Sequence, residues 1–333
     1  MHSTYSDGTK TIDFIAKEAK RAGLDFIVVS DHNSLKGLEE EGFYDGVCVL
    51  VIDEISPATS NHLLAFDVKK EIDEELAPEL FIDEVHKQGG FCFVAHPDEN
   101  IYRKNNHVAL RWLDWSINTF DGLEVWNYLS DWIDHFSLNN SQLIQHLLRH
   151  KRAKGPTVPV LQWWDRLNNS KRNIVPAIGG VDAHRFVVNR FGLNFIVSDY
   201  YDYFTALNNV INLATPLSSD FNEAKTQIFE AIKKGNNIIL NKKAAKTSDL
   251  PQFYAKGKDA EVHAGGTFES EPYCELVFKI PVGADVRLIY NGEKIYDKKT
   301  SLIEYDNLKP GKYRVEAYFK GIPYVFTNPI KVV

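Results

Sequence analysis

Short apolar runs rich in β-branched residues recur through the first 185 residues, separated by segments with helical periodicity. Residues 11–23 form an amphipathic pattern that Gly23 ends, and residues 77–88 and 159–170 repeat this periodicity. Continuous apolar runs are typical of buried parallel strands, whereas half-exposed strands alternate. The pattern therefore predicts an α/β fold. The six strand-like runs lie at 24–30, 47–54, 61–68, 91–97, 122–127 and 173–184.

Four of these six runs end in Asp, Glu or His, a proportion that chance rarely produces. In an α/β barrel the carboxyl ends of the strands meet at one rim, where the site is built. We therefore predict one barrel-like domain over residues 1–245, with its site at that rim. The polar ends belong to His32, Glu54, His96 and the pair Asp182 and His184.

The pattern changes from about residue 250, where short alternating strands replace the helical segments. Turn dipeptides separate them at 291–292, 310–311 and 320–321. Residues 246–333 are therefore predicted to form a small all-β, sandwich-like domain. The polar, Gly-containing stretch 244–270 is expected to be a linker or an irregular crossing between the domains.

Bulk properties exclude several classes of protein. The net charge of −7 gives no general affinity for nucleic acid. Cys48, Cys92 and Cys274 have no close spacing, so neither a disulfide framework nor a thiolate zinc site is predicted. No apolar run reaches membrane-spanning length and no signal peptide is visible, so a cytoplasmic protein is expected.

Eight side chains are candidate metal ligands. Imidazole and carboxylate together suit Zn²⁺, Mn²⁺ or Fe²⁺, and a carboxylate such as Glu54 can bridge two ions. Singly, each has an ordinary alternative: Asp7 and Asp182 are also common turn residues. Their shared position at strand ends favours a metal cluster. The eight are His2, Asp7, His32, Glu54, His62, His96, Asp182 and His184.

The remaining polar and aromatic candidates receive other predictions. Asp53, Glu124 and Asn127 are expected either to orient the ligands or to be exposed strand ends. Trp126, Trp132, Trp163 and Trp164 are interpreted as packing residues, with a substrate-lining role as the alternative. Arg103 and Lys104 are interpreted as solvated, with phosphate contact as the alternative. Surface or core positions are predicted for His86, His107, His135, His146, His150 and His263.

Six motifs resemble the PHP (polymerase and histidinol phosphatase) superfamily and occur in its order. They are MHSTYSDG, VVSDHNS, DEISPATSNHLLAFDV, FVAHPDE, GLEVWN and GGVDAH. The segment WWDRLNNSKRNIVPAIGGVDAH and the end GKYRVEAYFKGIPYVFTNPIKV resemble the branch of carbaryl-hydrolase-like metallohydrolases, which often carry a C-terminal β domain. The resemblance implies a distorted (β/α)7 barrel that binds two or three divalent metal ions.

The resemblance also implies roles for individual residues. Glu54 is shared between the first two metals, and either His184 or Arg185 contacts the substrate or protonates the leaving group. The first metal takes His2, Glu54 and Asp182; the second takes Glu54, His62 and His96; the third takes Asp7, His32 and His184.

One departure concerns the His-x-His motif of the family, in which His2 fills the second histidine and Met1 the middle position. The first histidine falls one residue before the chain given. A truncated chain is the favoured expectation, because a metal-ligating strand rarely begins at a terminus. If the start is genuine, the first metal is expected to bind weakly.

Three functions are compatible with these residues. The favoured one is hydrolysis of small phosphate monoesters by a water whose pKa the metals lower. The second is hydrolysis of carboxylesters or carbamates by the same cluster, in a more apolar pocket. The third is a non-catalytic binding module that has lost part of its metal site. A small-molecule ester is the expected partner in the first two, and the oligomeric state stays open.

Overall fold

The computed structural model describes residues 1–99, 101–103, 106–108, 110–133, 153–190 and 193–333. Lys104, His135, His146 and His150, with the side chains of Arg103, His107 and Trp132, lie outside this part of the chain. In the described ranges, no helix is long and apolar enough to cross a membrane.

Six α-helices are described, and side-chain caps begin several of them. The Thr11 side chain accepts from the backbone N–H of Phe14 at the start of α1, and Gly23 ends that helix with a left-handed φ of 74°. The helices are α1 (Ile12–Ala22), α2 (Pro78–Lys87), α3 (Tyr128–Ile133), α4 (Val158–Ser170), α5 (Tyr200–Phe204) and α6 (Phe221–Lys234).

The two longest of the described strands lie in the last hundred residues. The first eleven are β1 (Phe26–His32), β2 (Gly42–Tyr44), β3 (Val47–Ile55), β4 (Leu63–Phe66), β5 (Phe91–Val94), β6 (Ile101–Arg103), β7 (Asn106–Val108), β8 (Gly122–Asn127), β9 (Ala177–Gly180), β10 (Phe186–Arg190) and β11 (Leu193–Ser198). The others are β12 (Leu207–Ile211), β13 (Asn237–Asn241), β14 (Gln252–Lys256), β15 (Glu261–His263), β16 (Thr267–Phe268), β17 (Glu275–Tyr290), β18 (Glu293–Tyr305), β19 (Gly311–Phe319), β20 (Ile322–Thr327) and β21 (Ile330–Val332).

The six predicted runs all form strands of one seven-stranded sheet, in the order β1-β3-β4-β5-β8-β9 with β2 paired to β3. Both faces of this sheet are covered. On β3, for example, Val49 contributes to the same core as Ile15 of α1, whereas Leu50 contributes to a second core with Ile228 of α6. Burial on both faces explains why these strands are continuous apolar runs.

The arrangement differs from the predicted (β/α)7 barrel in two respects. β4 runs antiparallel to β3 and to β5, although β1/β3, β5/β8 and β8/β9 are parallel. Within the described residues β1 and β9 do not pair with each other, so the sheet is open. The connection of residues 56–62 between β3 and β4 is too short for a parallel crossover, which needs a dozen or more residues. The mixed α/β character of the prediction holds.

The second large sheet has ten strands and includes β12 and β13 as well as the C-terminal strands. β13 pairs with β20, so the sheet crosses residue 245, where the boundary was predicted. The division into residues 1–245 and 246–333 stays a prediction. The stretch 244–270, predicted as a linker or crossing, contains β14, β15 and β16, which are strands of this sheet.

Asparagine side chains join the second sheet to the edge strand β9. Asn328 accepts from the backbone N–H of Ala177 at 2.7 Å and donates to its carbonyl oxygen at 2.8 Å. Asn209 makes the same pair of bonds with Gly179, at 3.0 and 2.7 Å. Strand edges otherwise present unpaired backbone groups, and here an amide side chain satisfies them. β9, which leads into Asp182, is thereby fixed in place.

Candidate metal centre

Glu54, near the carboxyl end of β3, lies at the centre of the predicted ligands. Its Oε1 is 3.0 Å from Nδ1 of His62 and 3.5 Å from a ring nitrogen of both His32 and His96. Its Oε2 is 3.5 Å from Nε2 of His2. The two oxygens of this buried carboxylate therefore face different imidazoles. A carboxylate that bridges two metal ions needs such an arrangement.

His2 is completely buried between Glu54 and the end of β9. Its Nε2 is 2.8 Å from Oδ1 of Asp182. Its backbone is fixed as well, because the hydroxyl of Tyr200 donates to the carbonyl oxygen of His2 at 2.7 Å. Residues nearly two hundred positions apart in the chain therefore hold this imidazole in one orientation.

Asp7 lies on the open side of the cluster, where its side chain is 57% exposed. Its Oδ1 is 3.0 Å from Nε2 of His184 and 3.8 Å from a ring nitrogen of both His2 and His32. The His2 ring also stacks between the other two, at centroid distances of 4.2 Å to His32 and 4.5 Å to His184. Asp7 and His32 are therefore the members that solvent or a substrate reaches first.

Asp31 fixes the loop that carries His2 and Asp7. Its carboxylate accepts from the backbone N–H of Ser3 at 2.7 Å, from the Ser3 hydroxyl at 2.6 Å and from the Ser6 hydroxyl at 2.6 Å. Three short bonds to one buried carboxylate leave the loop little freedom. Asp31 therefore does not ligate, but positions two residues that do.

Two carboxylates hold His96 after β5. Oε2 of Glu99 lies 2.8 Å from Nδ1 of His96, and Oε2 of Glu124 accepts from its backbone N–H at 2.8 Å. His96 has a left-handed backbone with φ of 27°, which a non-glycine residue adopts only when its surroundings impose it. Burial raises the pKa of Glu124 to about 7, against the charge of His96 and the bonds it accepts. Glu124 thus fixes the backbone of His96, and the Glu99 carboxylate lies in ion-pair contact with its ring.

Ion pairing strongly shifts the pKa values of several side chains in the cluster. Burial acts to raise the pKa of Asp7, but the hydrogen bond and charge of His184 outweigh it and lower that pKa to about 2. The pKa of Glu54 lies well below its usual value for the same reason, with the charge of His32 as the largest lowering cause. For His184, burial lowers the pKa, but Asp7 and Asp182 raise it to about 9. Asp7 and Glu54 are thus ionised at neutral pH.

The donor set fits divalent metal ions. Ligand atoms of His32, Glu54 and His62 all lie within 4.8 Å of one another. Nδ1 of His2 is buried and has no hydrogen-bond partner among the described residues, which is rare unless an ion or water completes the site. Mixed imidazole and carboxylate ligands suit Zn²⁺, Mn²⁺ or Fe²⁺. A second group with the same spacing consists of His2, Asp7, His32 and His184.

The structure brings all eight predicted ligands into one continuous cluster, and each predicted set of three contains close contacts. How these residues divide among metal ions stays a prediction. Arg185, predicted to act on the substrate, lies beside the cluster with its Nε 3.2 Å from Oδ2 of Asp199, the residue that caps α5. Its charge is thus paired, and a catalytic role stays a prediction.

The other predicted positioning residues divide between the cluster and its supporting loops. Asn127 donates to Oε2 of Glu124 at 3.1 Å, so it supports His96 indirectly. Asp53 accepts from the backbone N–H of Ser34 at 3.1 Å. Within the described part of the chain it forms no hydrogen bond or ion pair with an imidazole. Both are buried, which excludes the alternative of an exposed strand end.

The described tryptophans pack in the core, as predicted. Trp163 is buried and stacks on Trp115 at a centroid distance of 4.6 Å. Trp164 is also buried and donates to the carbonyl oxygen of Val175 at 2.8 Å. Trp126 is buried and packs edge-on against Phe326 of the second sheet. These three rings therefore stabilise the fold and do not line the metal centre.

Sequence reasoning missed Glu99, Asp31, Ser56 and Tyr200. Ser56 lies 2.7 Å from Nδ1 of His32 through its hydroxyl. Glu99 follows His96 by three residues, and this spacing in a loop offered a weak signal. Tyr200 is distant in sequence from His2, so only the folded chain shows their contact.

Comparison with known proteins gives limited similarity. No family model matches the chain. An uncharacterised protein of Methanocaldococcus jannaschii, MJ1587, is 30% identical over 119 residues, which are 34% of this chain and 64% of that protein. The chain thus spans less than two thirds of that relative's length.

A crystal structure from Bacteroides vulgatus also resembles the chain. It is described as a two-domain protein containing a predicted PHP-like metal-dependent phosphoesterase. The match has a TM-score of 0.45 and 14% identity, and covers 98% of this chain and 93% of that one. These similarities do not establish a family, so the function is proposed from the residues of the site.

Proposed function

We propose that this chain is a metal-dependent hydrolase of the PHP superfamily that acts on small phosphate monoesters. The position of Glu54 carries the proposal, because its two buried oxygens face four histidines from different parts of the chain. A packing role for such a residue is unfavourable, since a buried carboxylate is costly unless charged groups or metals compensate it. The six family motifs supply the same residues in the same order.

The ligands divide into a buried floor and an open side. Glu54, His62 and His96 form the floor, whereas Asp7 and His32 lie on the open side. When bound, divalent ions supply Lewis acidity and lower the pKa of coordinated water. The floor residues fix the position of the ions, and the substrate approaches from the open side.

The charge of the site favours an anionic substrate once metal is bound. Three carboxylates, Asp7, Glu54 and Asp182, contribute three negative charges, while two or three divalent ions contribute about four to six positive ones. Counted over the ligands alone, the loaded centre is therefore positive by about one to three charges, although the whole chain carries −7. This local reversal of sign attracts a phosphate dianion more strongly than a neutral ester.

The decisive experiment combines metal analysis with phosphate release. The protein is stripped with a chelator, reloaded with Mn²⁺ or Zn²⁺, and assayed on nucleotide and sugar phosphate monoesters. We expect at least two ions per chain and metal-dependent phosphate release. Fully loaded protein that cleaves no phosphate ester would overturn the phosphoesterase proposal. Fewer than two ions per chain would instead favour the non-catalytic binding module.

A matched pair of variants links the activity to Glu54. Glu54→Gln keeps the shape of the side chain but removes its charge, so we expect activity to fall by more than the 10- to 100-fold that is typical for loss of a residue outside the ligand set. Glu304→Gln changes an exposed glutamate of β18 and is expected to leave activity unchanged. Equal activity of both variants would exclude Glu54 from the reaction.

Hydrolysis of carboxylesters or carbamates is the second candidate, and exposed apolar residues in segments that adjoin the ligands favour it. The backbone N–H of Leu113, an exposed residue, bonds to the side chain of Asn61, the neighbour of His62. Val187 is also exposed and follows His184 by three residues. An aryl carboxylester that the same loaded preparation cleaves faster than any phosphate ester would favour this chemistry.

A further inference from the structure

A second cluster of metal-ligating side chains lies at the opposite end of the first sheet. It comprises His86 near the end of α2, Cys92 in β5 and Asp121 immediately before β8. β5 and β8 are parallel, and His96 follows the carboxyl end of β5, whereas Cys92 and Asp121 lie at the amino ends. The cluster is therefore separate from the metal centre around Glu54.

Asp121 brings the three donors together. Its Oδ2 lies 2.9 Å from Nε2 of His86 and accepts from the backbone N–H of Cys92, also at 2.9 Å. The backbone N–H of Asp121 in turn donates to the carbonyl oxygen of Cys92 at 3.0 Å. One ligand atom from each side chain lies within 4.8 Å of the other two. Backbone pairing thus fixes Cys92 and Asp121, and His86 completes the set from the helix.

We propose that His86, Cys92 and Asp121 form a separate site for one thiophilic divalent ion such as Zn²⁺. Thiolate, imidazole and carboxylate are all ligands of Zn²⁺, which is usually four-coordinate. The Cys92 side chain is buried, whereas His86 is 37% exposed, so a water molecule from the open side supplies the fourth ligand. The ion connects the end of α2 to the amino ends of β5 and β8.

The electrostatic surroundings set the conditions for binding. Burial, together with the charge of Asp121, raises the pKa of Cys92 well above its usual value, so the thiol is protonated in the metal-free protein. Binding therefore releases the thiol proton to solvent as the sulfur–metal bond forms. Lys171 adds a positive charge nearby, since it donates to the carbonyl oxygen of Phe120 at 3.3 Å. The negative charges of the Cys92 thiolate and the Asp121 carboxylate together outweigh the positive charge of Lys171.

Co²⁺ titration of the metal-free protein tests the site, because thiolate ligation gives an intense near-ultraviolet charge-transfer band. The centre around Glu54 contains no cysteine and cannot produce this band, so the result is independent of the proposed hydrolase activity. Since Co²⁺ also fills the centre around Glu54, we expect the band at saturation to have the intensity of one thiolate-bound Co²⁺ per chain, whatever the total number of ions bound. Absence of the band at saturating Co²⁺ would overturn the proposal.

Variants assign the band to one cysteine. Cys92→Ser is expected to abolish it, whereas Cys48→Ser and Cys274→Ser, which change the other two cysteines, are expected to retain it. Since Cys92→Ser alters a buried position and can disturb folding, His86→Gln provides a second test at a half-exposed position. We expect His86→Gln to weaken Co²⁺ binding by at least about tenfold. A band that persists in Cys92→Ser would exclude this site.

Discussion

At the scale of single residues, the metal centre depends on groups that do not ligate. Asp31 holds the loop of His2, and Ser56 contacts His32. Glu99 and Glu124 hold His96. Each of these contacts removes conformational freedom from an imidazole before metal binds. Preorganisation of this kind raises affinity, because less ordering is left for the binding step.

Replacement of Glu99 by glutamine is expected to weaken metal binding by about 10- to 100-fold. The amide is neutral, so the ion pair with the His96 ring is lost and the basicity of that ring is no longer raised. Isothermal titration with Mn²⁺ or Zn²⁺ measures the change. Glu79→Gln, at an exposed position of α2, serves as the control and should bind like the unmodified protein. Unchanged affinity in Glu99→Gln would show that its contact with His96 has no role.

Metal binding is expected to release protons at neutral pH and to strengthen as the pH rises. The pKa of His184 in the metal-free protein is raised to about 9, so its ring is protonated at pH 7 and must lose a proton to ligate. Affinity should therefore increase up to about pH 9 and then level off. Calorimetry at pH 7 in two buffers of different ionisation enthalpy measures the released protons. Identical heats in both buffers would contradict this expectation.

At the scale of secondary-structure elements, the ligands depend on how closely β8 and β9 approach each other. A Cβ atom added to Gly180 of β9 would lie 1.5 Å from Oε1 of Glu124 on β8. Only glycine leaves room for the Glu124 carboxylate at that point. The strand pair therefore fixes the position of the group that accepts from the backbone of His96.

Gly180→Ala is expected to displace Glu124 and to lower both metal affinity and stability. Steric overlap of this size forces a backbone or side-chain shift, which in packed regions costs about 1–3 kcal/mol. Urea denaturation and metal titration measure the two effects. Gly283→Ala is the matched control, since an added Cβ there meets no atom within 4 Å. Equal stability of the two variants would contradict the role given to Gly180.

The sequence predicted elements well where burial produces a regular pattern. All six apolar runs of the first sheet became strands, and α1, α2 and α4 lie within two residues of their predicted limits. The parallel direction predicted for β4 was wrong, because apolar runs do not record strand direction. β18 was also missed. Its side chains are mostly exposed, so it lacks the alternation that identifies a half-buried strand.

In the metal centre, the ligands could be predicted from the sequence, whereas the residues that support them could not. Ligands at strand ends were recognisable because chemistry restricts them to Asp, Glu and His. Asp31 and Tyr200 were not, since an aspartate before a loop and a tyrosine in a helix have many ordinary uses. Their role depends on contacts with residues far away in the chain.

At the scale of the whole molecule, the two large sheets are joined by polar contacts as well as by packing. Arg314 of β19 forms two bonds of 2.7 Å with Asp165 of α4 and one of 2.7 Å with Glu316. Asn328 bonds to both backbone groups of Ala177. The C-terminal strands are thus part of the support for β9 and for the ligands that follow it.

Asn328→Ala is expected to lower the free energy of unfolding by about 2 kcal/mol or more, because the buried N–H of Ala177 loses its partner. The loss should extend to metal affinity, since Asp182 follows β9. Chemical denaturation and metal titration measure both. Asn222→Ala, at an exposed position of α6, is the control and should change stability little. Reduced stability with unchanged metal affinity would show that the bonds between Asn328 and Ala177 do not position the metal ligands.

The left-handed backbones of His96 and Asp182, with φ of 27° and 45°, have an evolutionary consequence. Glycine would adopt these conformations without strain. Selection for stability of the fold alone would therefore favour glycine at both positions. With a histidine and an aspartate at these positions, the chain gives up part of its stability. A lineage under selection for stability alone would be expected to lose these two residues early.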